Sequence, residues 1–359
     1  MSFQFRPEIK DLVPYKPGKP IEDVKREYHL TDVIKLASNE NPLGCSPKAK
    51  EAISNALLDL NLYPDGNATD LRNAIAAKLR LSPEQVLPSS GSDEMVDIIS
   101  KAFLNSGDEV IMADVTFPRY LSTAVMMGAK PVIVPLRDFT YDLGAMLAAI
   151  TDQTKLIWLC NPNNPTGTMF TEKVLLDFLE AVPKNIVVVY DEAYNEYVTR
   201  ADYPKNSLKL LEQYPHVIIM RTFSKIYGLA ALRVGYTMAS TEIIMNLNKV
   251  RGPFNVNTLA QVAAIAALED DAFIQESYRV NQEGKEYLYK AFDAMGIWYA
   301  PSETNHIFLD TKIDCQQVFT TLQSKGMIIR PMGGTHIRVS IGTLAQNQRF
   351  IALLKELYA

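Results

Sequence analysis

The stretch "MRTFSKIYGLAALRVGY", Met220 to Tyr236, closes an apolar run that begins at Val217. A lone lysine beside a loop is most often a solvated surface group, but the neighbours of Lys225 argue otherwise. Thr222 and Ser224 flank Phe223, Gly228 follows, and Arg233 comes just before a second apolar run, Val234–Ala239. Val217–Met220 reads as a buried strand. A lysine just past the carboxyl end of such a strand stands where open α/β sheets gather their ligand-binding groups.

Upstream the pattern repeats. Glu109–Ala113, Pro131–Val134, Leu156–Cys160 and Ile186–Tyr190 are short apolar runs separated by helix-length segments. This alternation over residues 43–255 predicts an α/β fold, a mostly parallel, doubly wound sheet flanked by helices. One helix is clear: after Ser92, Met95, Ile98, Ile99 and Ala102 recur at helical spacing. The C-terminal part differs. Helical stretches rich in Ala, Glu and Lys precede "NHIFLD", "GMIIR" and "HIRVSIG", and in the last Ile337, Val339 and Ile341 alternate with His336, Arg338 and Ser340. That alternation gives one apolar and one polar strand face. The expectation is a large domain over 43–255 and a smaller α+β domain from 1–42 and 256–359, completed by the N-terminal arm.

The composition sets outer bounds. With 359 residues, 47% hydrophobic and 21% charged, the chain has the make-up of a soluble globular protein. A net charge of −5 gives no general attraction to nucleic acid or an anionic membrane surface. No apolar run approaches the roughly 18 residues of a membrane helix. The segment "MSFQFRPEIKDLVPYK" carries charges where a signal peptide needs an apolar core. Cys45, Cys160 and Cys315 lack metal-ligand spacing, so no disulfide framework and no metal site is expected. Cys160, in "LIWLC", reads as a buried inert thiol. A cytoplasmic protein without nucleic-acid or membrane partners is the expectation.

Four segments bring chemistry to strand ends or a helix start. "CNPNNPTG" places Asn163 and Asn164 in a turn after Leu156–Cys160, "VVVYDEAY" ends a strand with Asp191 and has Tyr194 beyond it, and "SSGSDE" opens the helix noted above. "RTFSKIYGLAALR" supplies Lys225 and Arg233. Each has a plain alternative: a turn, a helix cap, a cap again, a surface cation. Together they meet the needs of pyridoxal phosphate. That cofactor takes a lysine for a Schiff base, a carboxylate facing its pyridinium nitrogen, donors to its ring oxygen and a cationic, hydroxyl-rich phosphate cup. Lys225, Asp191, Asn164 with Tyr194, and Gly91, Ser92, Asp93, Thr222, Ser224 and Arg233 are the respective candidates.

With "NNPTG", "DEAY" and "SKIYGLAALRVGY" in this order and at this spacing, the chain resembles the fold-type I pyridoxal-phosphate aminotransferases over essentially its whole length. The resemblance implies that Lys225 is the Schiff base lysine and Asp191 the pyridinium partner, with Asn164 and Tyr194 on the ring oxygen. Phe117 in "VTFPRY" stands where the family stacks an aromatic ring on the cofactor; that position is often Tyr, so Phe gives stacking without a hydroxyl. Tyr63 in "NLYPDG" resembles the tyrosine that reaches a partner's cofactor phosphate, which implies a homodimer with shared active sites. Arg338 in "HIRVSIGT" matches the family's substrate-carboxylate arginine.

"LVPYKPGKP", "KLASNENPLG", "YPDG", "GMIIRP" and "GGTHIRVSIG" look like one subgroup, the histidinol-phosphate aminotransferases. Its substrate carries a dianionic phosphate in place of a carboxylate, and two forked guanidiniums grip that better than one. Arg330, Arg338 and Tyr15 are the candidates, with Asn39 and Asn164 lining the site. The implied reaction passes the amino group of glutamate, which leaves as 2-oxoglutarate, through a pyridoxamine phosphate intermediate to imidazole-acetol phosphate, giving histidinol phosphate. Lys225 is then the base for the proton shift. A broad aromatic aminotransferase, and a pyridoxal-phosphate lyase or decarboxylase acting on phosphorylated amino acids, stand as alternatives.

Overall fold

The computed structural model describes residues 3–10, 12, 14 and 18–358. The apolar runs form a seven-stranded sheet from β1 (Val86–Ser89), β2 (Glu109–Ala113), β3 (Lys130–Val134), β4 (Thr154–Cys160), β5 (Val187–Asp191), β6 (Val217–Thr222) and β7 (Gly235–Met238). Their spatial order is β1-β7-β6-β5-β4-β2-β3. Neighbours pair in parallel from β6 through β3, and only β7 runs antiparallel, to both β6 and β1. The expected doubly wound sheet is therefore present. β1 had escaped the apolar pattern because "VLPS" is short and holds Pro88. A proline is tolerated there because β1 is an edge strand.

Along the inner strands, side chains on both sheet faces are withdrawn from water, as a parallel sheet covered by helices requires. Ile157, Trp158, Val188, Val189, Ile218 and Ile219 lose essentially all exposure. The helix Gly91–Phe103 lays Met95, Ile98 and Ile99 into the same cluster. That cluster continues past residue 255: Ala260, Ala263, Ala264, Ala267 and Leu268 of the helix Thr258–Leu268 belong to it, packed on the helix Pro47–Ala56. The change from one cluster to the other therefore falls along the next helix, Asp271–Met295, rather than at 255.

The second cluster lies under an antiparallel sheet of β8 (Trp298–Tyr299), β9 (His306–Asp310), β10 (Arg330–Gly333) and β11 (His336–Ser340), in the order β10-β11-β9-β8. Ile337 and Val339 point into it while His336 and Arg338 stay partly exposed, the expected alternation. "GMIIR" is not one strand. Met327–Ile328 pairs in parallel with Ile34–Lys35, and Arg330 starts β10. This stitches the N-terminal segment onto the C-terminal part, and Ser340 N–H extends the seam to the Leu36 carbonyl at 2.8 Å.

Candidate active site

The carboxyl ends of β4, β5 and β6 meet the N-terminus of the helix Gly91–Phe103 and side chains of β10 and β11 around a cavity of about 390 Å³. The strand crossing order brings these ends side by side. Cys160 of β4 lies opposite Asp191 of β5, and Asp191 opposite Met220 of β6.

β5 delivers Asp191 to the floor, almost wholly buried. Its Oδ2 accepts from the Tyr120 hydroxyl at 2.6 Å and its Oδ1 from the Ala193 N–H at 3.1 Å. The carboxyl is held up at about 6: burial is the chief cause, the two hydrogen bonds work against it, and the charges of Glu192 and Asp93 add to the rise. A cationic ring nitrogen beside it would favour the ionised form strongly.

The end of β6 and the turn after it present Thr222, Ser224 and Lys225. Lys225 Nζ donates to the Ser38 carbonyl at 3.3 Å and sits 5.7 Å from the centre of the Tyr194 ring. Burial lowers this amine to about 8, helped by the guanidiniums of Arg338 and Arg233 and opposed by Glu40. The turn can approach the N-terminal segment because residue 228 is glycine: its φ is +70°, and a Cβ there would strike the Gly44 carbonyl.

At the other end, the Arg233 guanidinium lies across the start of the helix Gly91–Phe103. It donates to Ser224 Oγ at 3.4 Å and to Asp93 Oδ2 at 3.5 Å. Gly91 has φ +78°, and a Cβ on it would collide with that guanidinium, so only glycine lets cation and helix N-terminus share the spot. Ser90 makes no side-chain cap. Helix N–H groups, a guanidinium and the hydroxyls of Ser92, Thr222 and Ser224 form an anion cup. Asp93 helps orient Arg233, and Arg119 also approaches it at 3.8 Å.

Between floor and cup, Phe117 offers an aromatic face, and Asn164 and Tyr194 offer polar groups. The Tyr194 hydroxyl accepts from Asn39 Nδ2 at 2.9 Å, and burial keeps it protonated well above the ordinary tyrosine range. Asn163 is spent on Thr166 Oγ1 in its own turn and on the Val115 carbonyl in the loop after β2, while Asn164 reaches the cavity. Asn39 itself has φ +56°. Its N–H and Oδ1 bond Ser340 Oγ and its carbonyl accepts from Asn305, and these contacts hold the left-handed conformation.

Arg330 and Arg338 stand directly opposite each other across β10 and β11, and both line the cavity. Arg338 Nη1 donates to Asn164 Oδ1 and Nη2 to the Ala37 carbonyl, each at 2.6 Å. A lysine, a buried carboxylate at one end, an anion cup at the other and an aromatic face between them match the donor set that pyridoxal phosphate needs.

One of the expected residues stands outside this arrangement. Tyr63 is 83% exposed and stacks on Phe254, away from the chain's own cavity. Tyr15 lies outside the described residues. Gly91 lends backbone and space rather than a lining side chain.

Residues 31–354 match the family model described as aminotransferase class I and II. The chain belongs to the class I and II aminotransferases. Two relatives named histidinol-phosphate aminotransferase, from Moorella thermoacetica and Brevibacillus brevis, are each 50% identical to it over 358 residues, 99% of this chain and 93% and 98% of theirs. The crystal structure of histidinol-phosphate aminotransferase from Sinorhizobium meliloti, in complex with pyridoxal-5'-phosphate, superposes with a TM-score of 0.91 at 28% identity, covering 99% of both chains.

Several residues of this aminotransferase's cavity escaped the sequence reading. Tyr120, in the helix that starts at Arg119, lies just behind the cavity floor on Asp191, and in the sequence it reads as an ordinary core residue. Met332 is two residues after Arg330, on the same face of a strand. Glu40 follows Asn39 and forms a 2.7 Å ion pair with Lys35. Cys160 is buried, as expected, but lies beside Asp191 at the cavity wall, and burial raises its thiol far above the usual range.

Proposed function

We propose that this aminotransferase uses pyridoxal 5'-phosphate to move the amino group of glutamate to imidazole-acetol phosphate, giving histidinol phosphate, a step of histidine biosynthesis. The observation that carries the substrate assignment is the Arg330–Arg338 pair facing one cavity from adjacent strands. Two guanidiniums at one end of the site suit a dianionic phosphate. The names of relatives with half the sequence identical support the same reading.

Bound pyridoxal phosphate supplies an aldehyde to which an amine bonds and a ring that accepts the electron pair of a substrate carbanion. In this reading Arg233, Ser92, Thr222 and Ser224 hold its phosphate, Asp191 keeps a negative charge at its ring nitrogen, and Asn164 and Tyr194 hydrogen-bond its ring oxygen. Phe117 covers one ring face. Lys225, with its amine lowered to about 8, has a usable neutral fraction near pH 7, so Nζ can take the proton from the substrate carbon and return it. Arg338 binds the glutamate carboxylate and, with Arg330, the phosphate of the second substrate; Asn39 lines the site.

The two hydrophobic clusters are, in this reading, a large cofactor-binding domain and a small domain carrying both arginines. The enzyme acts in the cytoplasm as a homodimer in which Tyr63 completes the partner's phosphate cup. Among the described residues no helix is long and apolar enough to cross a membrane.

The test is a specificity ratio. Histidinol phosphate should react with 2-oxoglutarate at a specificity constant at least about a hundredfold above that for phenylalanine, a difference of about 3 kcal/mol. Comparable constants would make the protein a broad aromatic aminotransferase. No glutamate formed from either donor would point to a lyase or decarboxylase.

A further inference from the structure

The Tyr120 side chain is fully buried behind the cavity floor. Its ring stacks on Trp158 with centroids 4.5 Å apart and planes 8° from parallel, and meets the Phe117 edge at 5.4 Å and 80°. The ring is fixed from two sides, by Trp158 of β4 and by Phe117, which stands two residues before its own helix, Arg119–Met126. Its hydroxyl is thereby aimed at Asp191 Oδ2, 2.6 Å away.

We propose that Tyr120 is a positioning residue for Asp191: its O–H fixes one carboxylate oxygen and holds the group ionised, so that the cofactor's ring nitrogen meets a charge rather than a neutral acid. This rests on the cofactor assignment above.

The surroundings leave that work to few groups. Among the described residues, Tyr120, Tyr141, Tyr194, Cys160, Glu192 and Asp93 are the ionisable groups that act on or feel the Asp191 charge. Tyr141 bonds Thr116 Oγ1 at 2.6 Å, Cys160 donates to the Pro162 carbonyl, and Tyr194 pairs with Asn39. Glu192 is tied to Arg221 and Asp93 to Arg233, and both add negative charge near Asp191. Burial and these like charges favour the neutral acid; the bonds from Tyr120 and the Ala193 N–H oppose them. Burial and the Asp191 charge hold the Tyr120 hydroxyl protonated far above neutral pH, so its role toward the carboxylate is that of donor alone.

Tyr120→Phe keeps the ring stack and removes the O–H. The measurement is the dissociation constant of pyridoxal phosphate from the apo-protein between pH 5 and 9, by quenching of tryptophan fluorescence, with thermal melting to show that each variant is folded. The hydrogen bond favours the charged form, so losing it raises the Asp191 pKa. The fall in cofactor affinity on acidification should then begin about one to two pH units higher than in wild type, the size of a hydrogen bond to a charged group. At pH 9 the two proteins should agree within a few fold. Tyr120→Leu, which gives up the stacking too, should add a loss common to every pH on top of the same shift. In an Asp191→Asn background Tyr120→Phe should change nothing further, because the group it acts on is gone. A uniform loss at every pH without a shift, or additive losses with Asp191→Asn, overturns the proposal and leaves Tyr120 a packing residue. A wild type that binds no pyridoxal phosphate at any pH overturns the cofactor assignment and this proposal together.

Discussion

Lys225 illustrates how a functional residue strains its own protein. Its amine titrates near 8 in the fold, against an ordinary value of 10.5, chiefly because burial disfavours the charge. Between those two values the unfolded chain binds the extra proton and the folded one does not, so the apo-protein gains stability as pH rises through that window and has its full penalty below about 8. Lys225→Ala without cofactor should therefore melt higher than wild type at pH 7, with the gap closing toward pH 10. A lower melting temperature at pH 7 would count against the burial argument. Residue identity was the most legible level of the sequence, because a lysine, an aspartate, two donors and a cup are chemically distinct and sit in loops after apolar runs. Tyr120 was not legible, because a buried tyrosine in a helix looks like core until its hydroxyl is seen on Asp191. Arg330 and Arg338 were legible as cations, but only their cross-strand register makes them a pair. Arg330→Ala should lower the specificity constant for histidinol phosphate about 30-fold, some 2 kcal/mol, and leave that for phenylalanine within a few fold. An unchanged ratio would mean that Arg330 does not read phosphate.

At the scale of elements, the strands of the main sheet were readable wherever several apolar residues ran together, and their ends shifted by only one or two residues. What escaped were features set by partners distant in sequence. β1 is held by its pairing with β7, and "GMIIR" divides because Ile34–Lys35 claims its first half. The turn Arg137–Thr140 is another such feature. Arg137 and Thr140 exchange both backbone hydrogen bonds at 2.9 Å, while Asp138 and Phe139 take φ of +50° and +59° where Asn-Gly is the usual choice. A phenylalanine there is costly, and the offsetting contacts lie in the second sheet. The Phe139 ring packs against Trp298 at 4.7 Å, Phe308 at 5.5 Å and His336 at 5.9 Å, and its carbonyl accepts from Thr168 at 2.6 Å. The turn thus joins the two sheets near the site. Phe139→Ala should cost about 2 kcal/mol, below the usual loss for a fully buried phenylalanine because the ring is only half-buried. Asp138→Gly, which relaxes the turn and keeps the ring, should be neutral or stabilising. Urea midpoints measure both, and equal losses in the two variants would show that the turn backbone, not the ring, carries the contact.

For the whole molecule, the segment Leu57 to Tyr63 is the main unexplained surface. Leu57, Leu58, Leu60, Leu62 and Tyr63 are all exposed, and Tyr63 leans on the exposed Phe254. Apolar side chains gathered so densely mark a surface that another protein covers. The proposed occupant is a second copy of this chain: an isologous interface would place the same patch on itself, with Tyr63 of each chain completing the other's cavity. If that is the arrangement, every active site takes Lys225 from one chain and Tyr63 from the other. Tyr63→Ala and Lys225→Ala should then each be poorly active as separate homodimers. In a mixed dimer one site lacks both groups and the other keeps both. After complete subunit exchange half the dimers are mixed and half of their sites intact, so activity should return to about a quarter of the wild-type value. Exchange itself is verified with two differently tagged chains, and light scattering gives the mass. Verified exchange without recovered activity would mean that each chain completes its own site, and the exposed leucines would then need a different partner.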